Sequence, residues 1–266
     1  MQRISLDTVS TAERSALVAR SAVPDPQIRE DAAAIVRSIH EGGDAALHDA
    51  NRRVGGGPAE GGMRVDPKLL DQAFAELPSD LAKALRAAEA NIRRCHRPQR
   101  PSDAVVEVVP GVMVARLWSP VNRVGVYVPG GLAAYPSSLL MGAVPAQVAG
   151  VAEVVVVSPA GRNGRVNPIV LAAAGMLGIE EFYVTGGAQA IGALAFGTES
   201  IGRVDKIVGP GGAWVTAAKL AVYGVCGVDL PAGPSEAVVV ADATAEPRLA
   251  AADLLCQAEH GPDSPI

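Results

Sequence analysis

Cysteine is scarce in this chain: three occur in 266 residues, at 95, 226 and 256, and none stands in CxxC spacing. That usage predicts a reduced, cytoplasmic protein rather than a disulfide scaffold. Positive charge is also thin. The formal net charge is −5, and the one basic cluster, Arg93-Arg94-Cys95-His96-Arg97, reads as the solvated face of a helix, so nucleic acid and anionic membranes are not expected partners. The first residues, Met-Gln-Arg-Ile-Ser-Leu-Asp, lack the apolar core of a signal peptide. The most hydrophobic stretch, Leu139 to Val157, is interrupted by Pro145, Gln147 and Glu153, and it changes from helical spacing to a β-branched run, so it predicts a helix followed by a buried strand and no membrane span. Two phosphate-binding fingerprints, GxGxxG and GxxxxGKS/T, are missing as well. The nearest approach, Gly186-Gly187-Ala188-Gln189-Ala190-Ile191-Gly192, has a different spacing.

What is present is apolar residue in quantity, 49% of the chain, arranged with clear periodicity. That is enough for one large domain or two smaller ones with real cores. Residues 8–20, 25–37 and beyond, and 81–97 place apolar side chains three and four apart, which predicts helices. Val54 to Gly62 crowds five glycines around Pro58 and predicts a loop. Residues 104–117 alternate around Pro110-Gly111 and predict a hairpin. From Val124 onward the texture changes to short β-branched runs followed by helical patterns, with candidate strands at Val124–Val128, Val154–Val157, Phe182–Val184, Lys206–Val208 and Ala237–Val240. Strands alternating with helices predict an α/β fold with a Rossmann-like, doubly wound parallel sheet. The expected division is a helical N-terminal region, 1–103, and a Rossmann-like region, 104–266.

Ligands of such sheets bind beyond the carboxyl ends of the strands. Those ends carry Pro129-Gly130-Gly131, Gly186-Gly187, Gly209-Pro210-Gly211-Gly212 and Pro231-Ala232-Gly233-Pro234-Ser235, where glycine permits close approach to backbone, or only serves tight turns. Further along, Gln257 and His260 stand three apart at the end of a helix expected from about Pro247, so both project from one face, as two ligands of one metal ion would. His40, His48 and His96 fall in the N-terminal helices, away from every glycine loop, and are read as surface or capping residues. Cys95 and Cys226 are read as buried free thiols.

These loops resemble the histidinol dehydrogenase family. The resemblance is carried by Val124-Gly-Val-Tyr127-Val-Pro-Gly-Gly131, Tyr135-Pro-Ser-Ser138, Gly186-Gly-Ala-Gln189-Ala-Ile191 with Ala195-Phe-Gly-Thr198, Val204-Asp-Lys-Ile-Val-Gly-Pro-Gly211, Asp229-Leu-Pro-Ala-Gly-Pro-Ser-Glu236 and Gln257-Ala-Glu-His-Gly-Pro-Asp-Ser264. The N-terminal helices match more loosely, through Val36-Arg37 and Gly43-Asp44-Ala-Ala-Leu47. The resemblance implies a zinc-containing homodimer that oxidises L-histidinol through L-histidinaldehyde to L-histidine with two molecules of NAD. It implies Tyr127, Gln189 and the Gly212 position as NAD contacts, Ser235, Gln257 and His260 as substrate contacts, and Gln257 and His260 as zinc ligands. The family's catalytic Glu-His pair and its other two zinc ligands are expected beyond Ile266, so residues 1–266 alone are expected to be inactive.

Three positions depart from the family pattern. Gly212 and Gly142 stand where asparagine is expected, and Cys256 stands in place of a serine, one residue from Gln257 and four from His260, where a thiolate would compete for the metal. Two alternatives stay open: a noncatalytic binding or oligomerisation module of the same fold, and a relative that oxidises another alcohol such as a sulfonated diol.

Overall fold

The computed structural model describes residues 8–18, 25–130, 134–161, 164–230, 236–258 and 266. Its helices begin where the sequence supplies caps. Ser10 and Glu13 form a reciprocal capping box ahead of α1 (Thr11–Val18). Asp25 caps α2 (Pro26–Val54), with proline at the first helical position, and Asp66 does the same for α3 (Pro67–Ala75). Helix α2 is kinked at Gly43, whose φ of 53° breaks the helical run. Helix α4 (Ser79–His96) follows, then a two-stranded antiparallel hairpin, β1 (Ala104–Val109) and β2 (Val112–Arg116), turning at Gly111 with φ 81°. The hairpin is a sheet of its own, and Val105, Val106, Val112, Met113 and Val114 are all exposed along it.

The main sheet is parallel and five-stranded. It comprises β3 (Arg123–Tyr127), β4 (Glu153–Ser158), β5 (Glu181–Val184), β6 (Lys206–Val208) and β7 (Gly227–Val228), in the order β5-β4-β3-β6-β7. Helices α5 (Pro136–Ala149), α6 (Pro168–Met176), α7 (Gly187–Phe196) and α8 (Ala213–Ala221) make the crossovers, and α9 (Pro247–Ala258) follows β7. Because side chains alternate along a strand, each face of the sheet builds its own core. Val124, Val126, Val156 and Phe182 pack with α3, α4, α5 and α6, whereas Val155, Val157, Tyr183 and Ile207 pack with α2, α7 and α8. Gly125 lets α7 lie directly on the sheet, since a Cβ there would stand 2.9 Å from Leu194 Cδ1. The order reverses between β3 and β6, so the switch point opens beyond Tyr127 and Val208.

Several expectations change in the structure. Ala237–Val240 is not a strand: Val238 and Val240 are 86% and 93% exposed, with no strand beside them among the described residues. The edge is taken instead by β7, two residues long and half glycine, which offers no β-branched run to read. Cys95 is exposed on α4, and only Cys226 is buried as expected. His48 is not remote from the glycine loops, because its Nδ1 lies 3.2 Å from the Pro58 carbonyl oxygen.

Candidate functional site

Glycines and polar anchors converge at the carboxyl ends of β3, β5 and β6. Tyr127, the last residue of β3, is buried, and its hydroxyl accepts a hydrogen bond from the Gly187 amide at 3.2 Å. Burial pushes the phenol above its ordinary pKa, partly offset by that amide. Gln189, in the first turn of α7, is 1% exposed. Its Nε2 donates to the Gly55 carbonyl (2.9 Å) and to Asn51 Oδ1 (3.3 Å), two acceptors that fix which way the amide points. Its Oε1 is buried without a hydrogen-bond partner among the described residues.

Asn51 ties the Val54–Gly62 loop into this region. Its Nδ2 donates to the Pro58 carbonyl (3.1 Å), and its Oδ1 accepts from Gln189 and from Thr185 Oγ1 (3.3 Å). The loop carries glycine because it lies on backbone. A Cβ at Gly57 would stand 2.6 Å from the Val184 carbonyl oxygen, and the Gly56 carbonyl accepts from the Ala160 amide at 3.0 Å. The loop thus sits over the ends of β4 and β5, beside the β3–β6 switch point, where ligands of such sheets bind in the crevice. Sequence reading made it a loop; the seat against β4 and β5 lies in contacts more than 100 residues apart.

On the other side of the crevice, Gly209 ends β6 with φ 117°, and a side chain there would run into the Tyr127 carbonyl oxygen. Gly212 caps α8 with φ −68° and ψ −176°, extended backbone open to any residue, and a Cβ there would meet no described residue within 4 Å. Two residues not singled out from the sequence lie beneath this loop. Lys219, 3% exposed, donates to the Gly209 carbonyl and pairs with Asp229, which accepts from the Gly209 amide at 2.7 Å. The available signal was a lone lysine in the apolar pattern of α8.

The histidinol dehydrogenase family profile matches residues 18–266. The chain belongs to the histidinol dehydrogenase family. It is 52% identical over 233 residues to the histidinol dehydrogenase of Parasynechococcus marenigrum (strain WH8102), covering 86% of this chain and 52% of that protein. With the histidinol dehydrogenase of Methanothermobacter thermautotrophicus (strain Delta H) it shares 45% identity over 250 residues, 94% of this chain and 58% of the relative. The crystal structure of histidinol dehydrogenase from Elizabethkingia anophelis superposes with a TM-score of 0.85 at 36% identity, covering 96% of this chain and 59% of that one. The chain therefore spans between half and three fifths of the length of these relatives.

Of the residues the histidinol dehydrogenase resemblance singles out, the fold brings Tyr127, Gln189 and Gly212 to the same end of the sheet. Ser235 and His260 lie outside the described residues. Gln257 stands in the last turn of α9, half-buried, with Cys256 exposed beside it. The Gly142 departure has a packing reason: a Cβ there would lie 2.6 Å from Val126 Cγ1, so α5 rests on β3 where a larger residue does not fit. The open space at Gly212 and the first-turn amides of α8 fit a dinucleotide phosphate. Among the described residues no three His, Cys, Asp or Glu side chains converge, and His260 lies outside them.

Proposed function

We propose that this chain carries the cofactor-facing part of a histidinol dehydrogenase, which oxidises L-histidinol through L-histidinaldehyde to L-histidine. The observation that carries the reading is the crevice at the β3–β6 switch point, bounded by Tyr127, Gly187, Gly209 and Gly212, in a chain of this family. Bound NAD would supply the hydride acceptor, one molecule for the alcohol and a second for the hydrated aldehyde. The chain's own part is positional. Gly212 and the first turn of α8 would take the phosphates, Tyr127 would hold the Gly187 amide, and Gln189, whose Oε1 is buried without a hydrogen-bond partner among the described residues, is the further proposed cofactor contact. Ser235, Gln257 and His260 are the proposed substrate contacts, with Gln257 and His260 the zinc ligands.

The reading includes a cytoplasmic homodimer. The apolar hairpin supports self-association, because Val106, Met113 and Val114 are more than half exposed. No helix among the described residues is long and apolar enough to cross a membrane. Calorimetric titration of the chain with NAD tests the reading directly. Saturable heat that weakens when α8's cap is changed supports it, and no heat at millimolar NAD refutes it.

A further inference from the structure

One ion pair grips both sides of a single glycine. The Gly209 amide donates to Asp229 Oδ2, the Gly209 carbonyl accepts from Lys219 Nζ, and Lys219 Nζ closes the triangle on Asp229 Oδ1 at 2.5 Å. Lys219 reaches this point from α8, the helix that the Gly209–Gly212 loop leads into, and Asp229 reaches it from the residue after β7. The loop is thus fastened at its start by the last turn of the helix at its end. Asp229 thus ties the start of the Gly209–Gly212 loop to the end of the edge strand β7.

As a source of stability this arrangement is a poor choice. A buried ion pair replaced by packed apolar side chains is often neutral or stabilising, while removing one partner alone is costly. What apolar residues cannot reproduce is the pair of hydrogen bonds to the Gly209 peptide. That peptide sits at a φ of 117° against Tyr127, in a conformation few residues adopt, and it sets the direction of the loop.

We propose that the Lys219–Asp229 pair is a positioning device for the cofactor loop, holding Gly209-Pro210-Gly211-Gly212 in the arrangement that leaves Gly212 and the first turn of α8 open to NAD. The proposal rests on the NAD reading above and adds to it two residues that do not touch the cofactor.

The test compares the native chain with Lys219→Met, Asp229→Asn and the double replacement Lys219→Met/Asp229→Leu. Each is measured for NAD dissociation constant by calorimetry, for melting temperature, and for amide exchange across residues 204–216. The single variants should melt lower and bind NAD at least about tenfold more weakly. The double variant, which leaves no orphaned charge, should regain most of the melting temperature while NAD stays about tenfold weaker and the Gly209, Gly211 and Gly212 amides exchange faster than those of β3 and β4. Recovery of affinity together with melting temperature would overturn the proposal, because the pair would then be structural only. If the double variant does not fold, Asp229→Asn decides by the same exchange pattern: loosening confined to 209–212 supports the device, and uniform or absent loosening overturns it. Absence of NAD binding by the native chain would refute the cofactor reading, and the exchange pattern would still judge whether the pair orders this loop.

Discussion

Gly212→Asn separates two things asparagine can do at the head of α8. The backbone there is extended, with φ −68°, and no described residue lies within 4 Å of the missing Cβ, so the replacement carries neither strain nor a clash with them. As an N-cap, asparagine improves on glycine by a few tenths of a kcal/mol, seen as a small rise in melting temperature. If the loop faces NAD, the new amide adds one hydrogen bond to the cofactor, worth about 0.5–1.5 kcal/mol, or roughly two- to thirteenfold in dissociation constant. The two roles compete. A side chain that turns inward to cap satisfies first-turn amides that the phosphate would otherwise use. Calorimetry with NAD and thermal melting on the same protein read the two outcomes apart. A tighter dissociation constant is the expected result. A higher melting temperature with unchanged or weaker NAD binding would refute the placement of Gly212 at the cofactor.

Three further outcomes follow from the structure. Arg123 bonds Glu153 and Glu181 at the opposite end of the sheet, with Glu181 at 2.7 Å. Arg123→Met should cost about 2–4 kcal/mol in urea melts, somewhat below the figure for a fully buried pair because water reaches this one. The hydrogen bonds from Arg123, opposed by burial and helped by Tyr183, hold Glu181 below its ordinary pKa. Its contribution is therefore complete above the unfolded carboxylate value of about 4.3 and fades as pH falls through the lower folded value, so melts of the variant should show a flatter acid limb. Gly142→Ala should destabilise by about 1–3 kcal/mol through overpacking against Val126, and Val126→Ala should relieve most of that added cost in the double variant. For the proposed metal, in a protein of the relatives' full length, His260→Ala should lose zinc on dialysis while Cys256→Ser keeps it, by elemental analysis; zinc lost from the Cys256 variant would mean that the thiolate is a ligand.

How far the fold was legible depended on how much of each element's stability is local. β3, β4, β5 and β6 carry β-branched or aromatic runs that announce themselves, and α2 and α4 carry apolar stripes. β7 does not, because Gly227-Val228 is a strand only by virtue of lying beside β6. The converse failure is Ala237–Val240, whose composition suits a strand but which has no described strand to join. Tyr127 and Gln189 were proposed as site residues through family motifs, and Gly212 through its departure from one. Asn51 and Lys219 were not, because their roles are hydrogen bonds to residues distant in sequence or to backbone, and neither leaves a periodic mark. Even the glycine loop, correctly read as irregular, gave no hint that it packs on β4 and β5.

The kink in α2 has a consequence for the newly made chain. Gly43 bends the helix where Glu199 approaches, and the Asp44 amide donates to Glu199 Oε2 across 155 residues at 2.7 Å. The same helix buries Ala32, Val36, Ile39 and Leu47 against elements that include α7. At about 5–20 residues per second of synthesis, that partner emerges roughly 8–30 seconds after the kink does. For that interval an apolar helix face waits uncovered at the ribosome, so α2 is the segment of this protein on which chaperone capture during translation should concentrate.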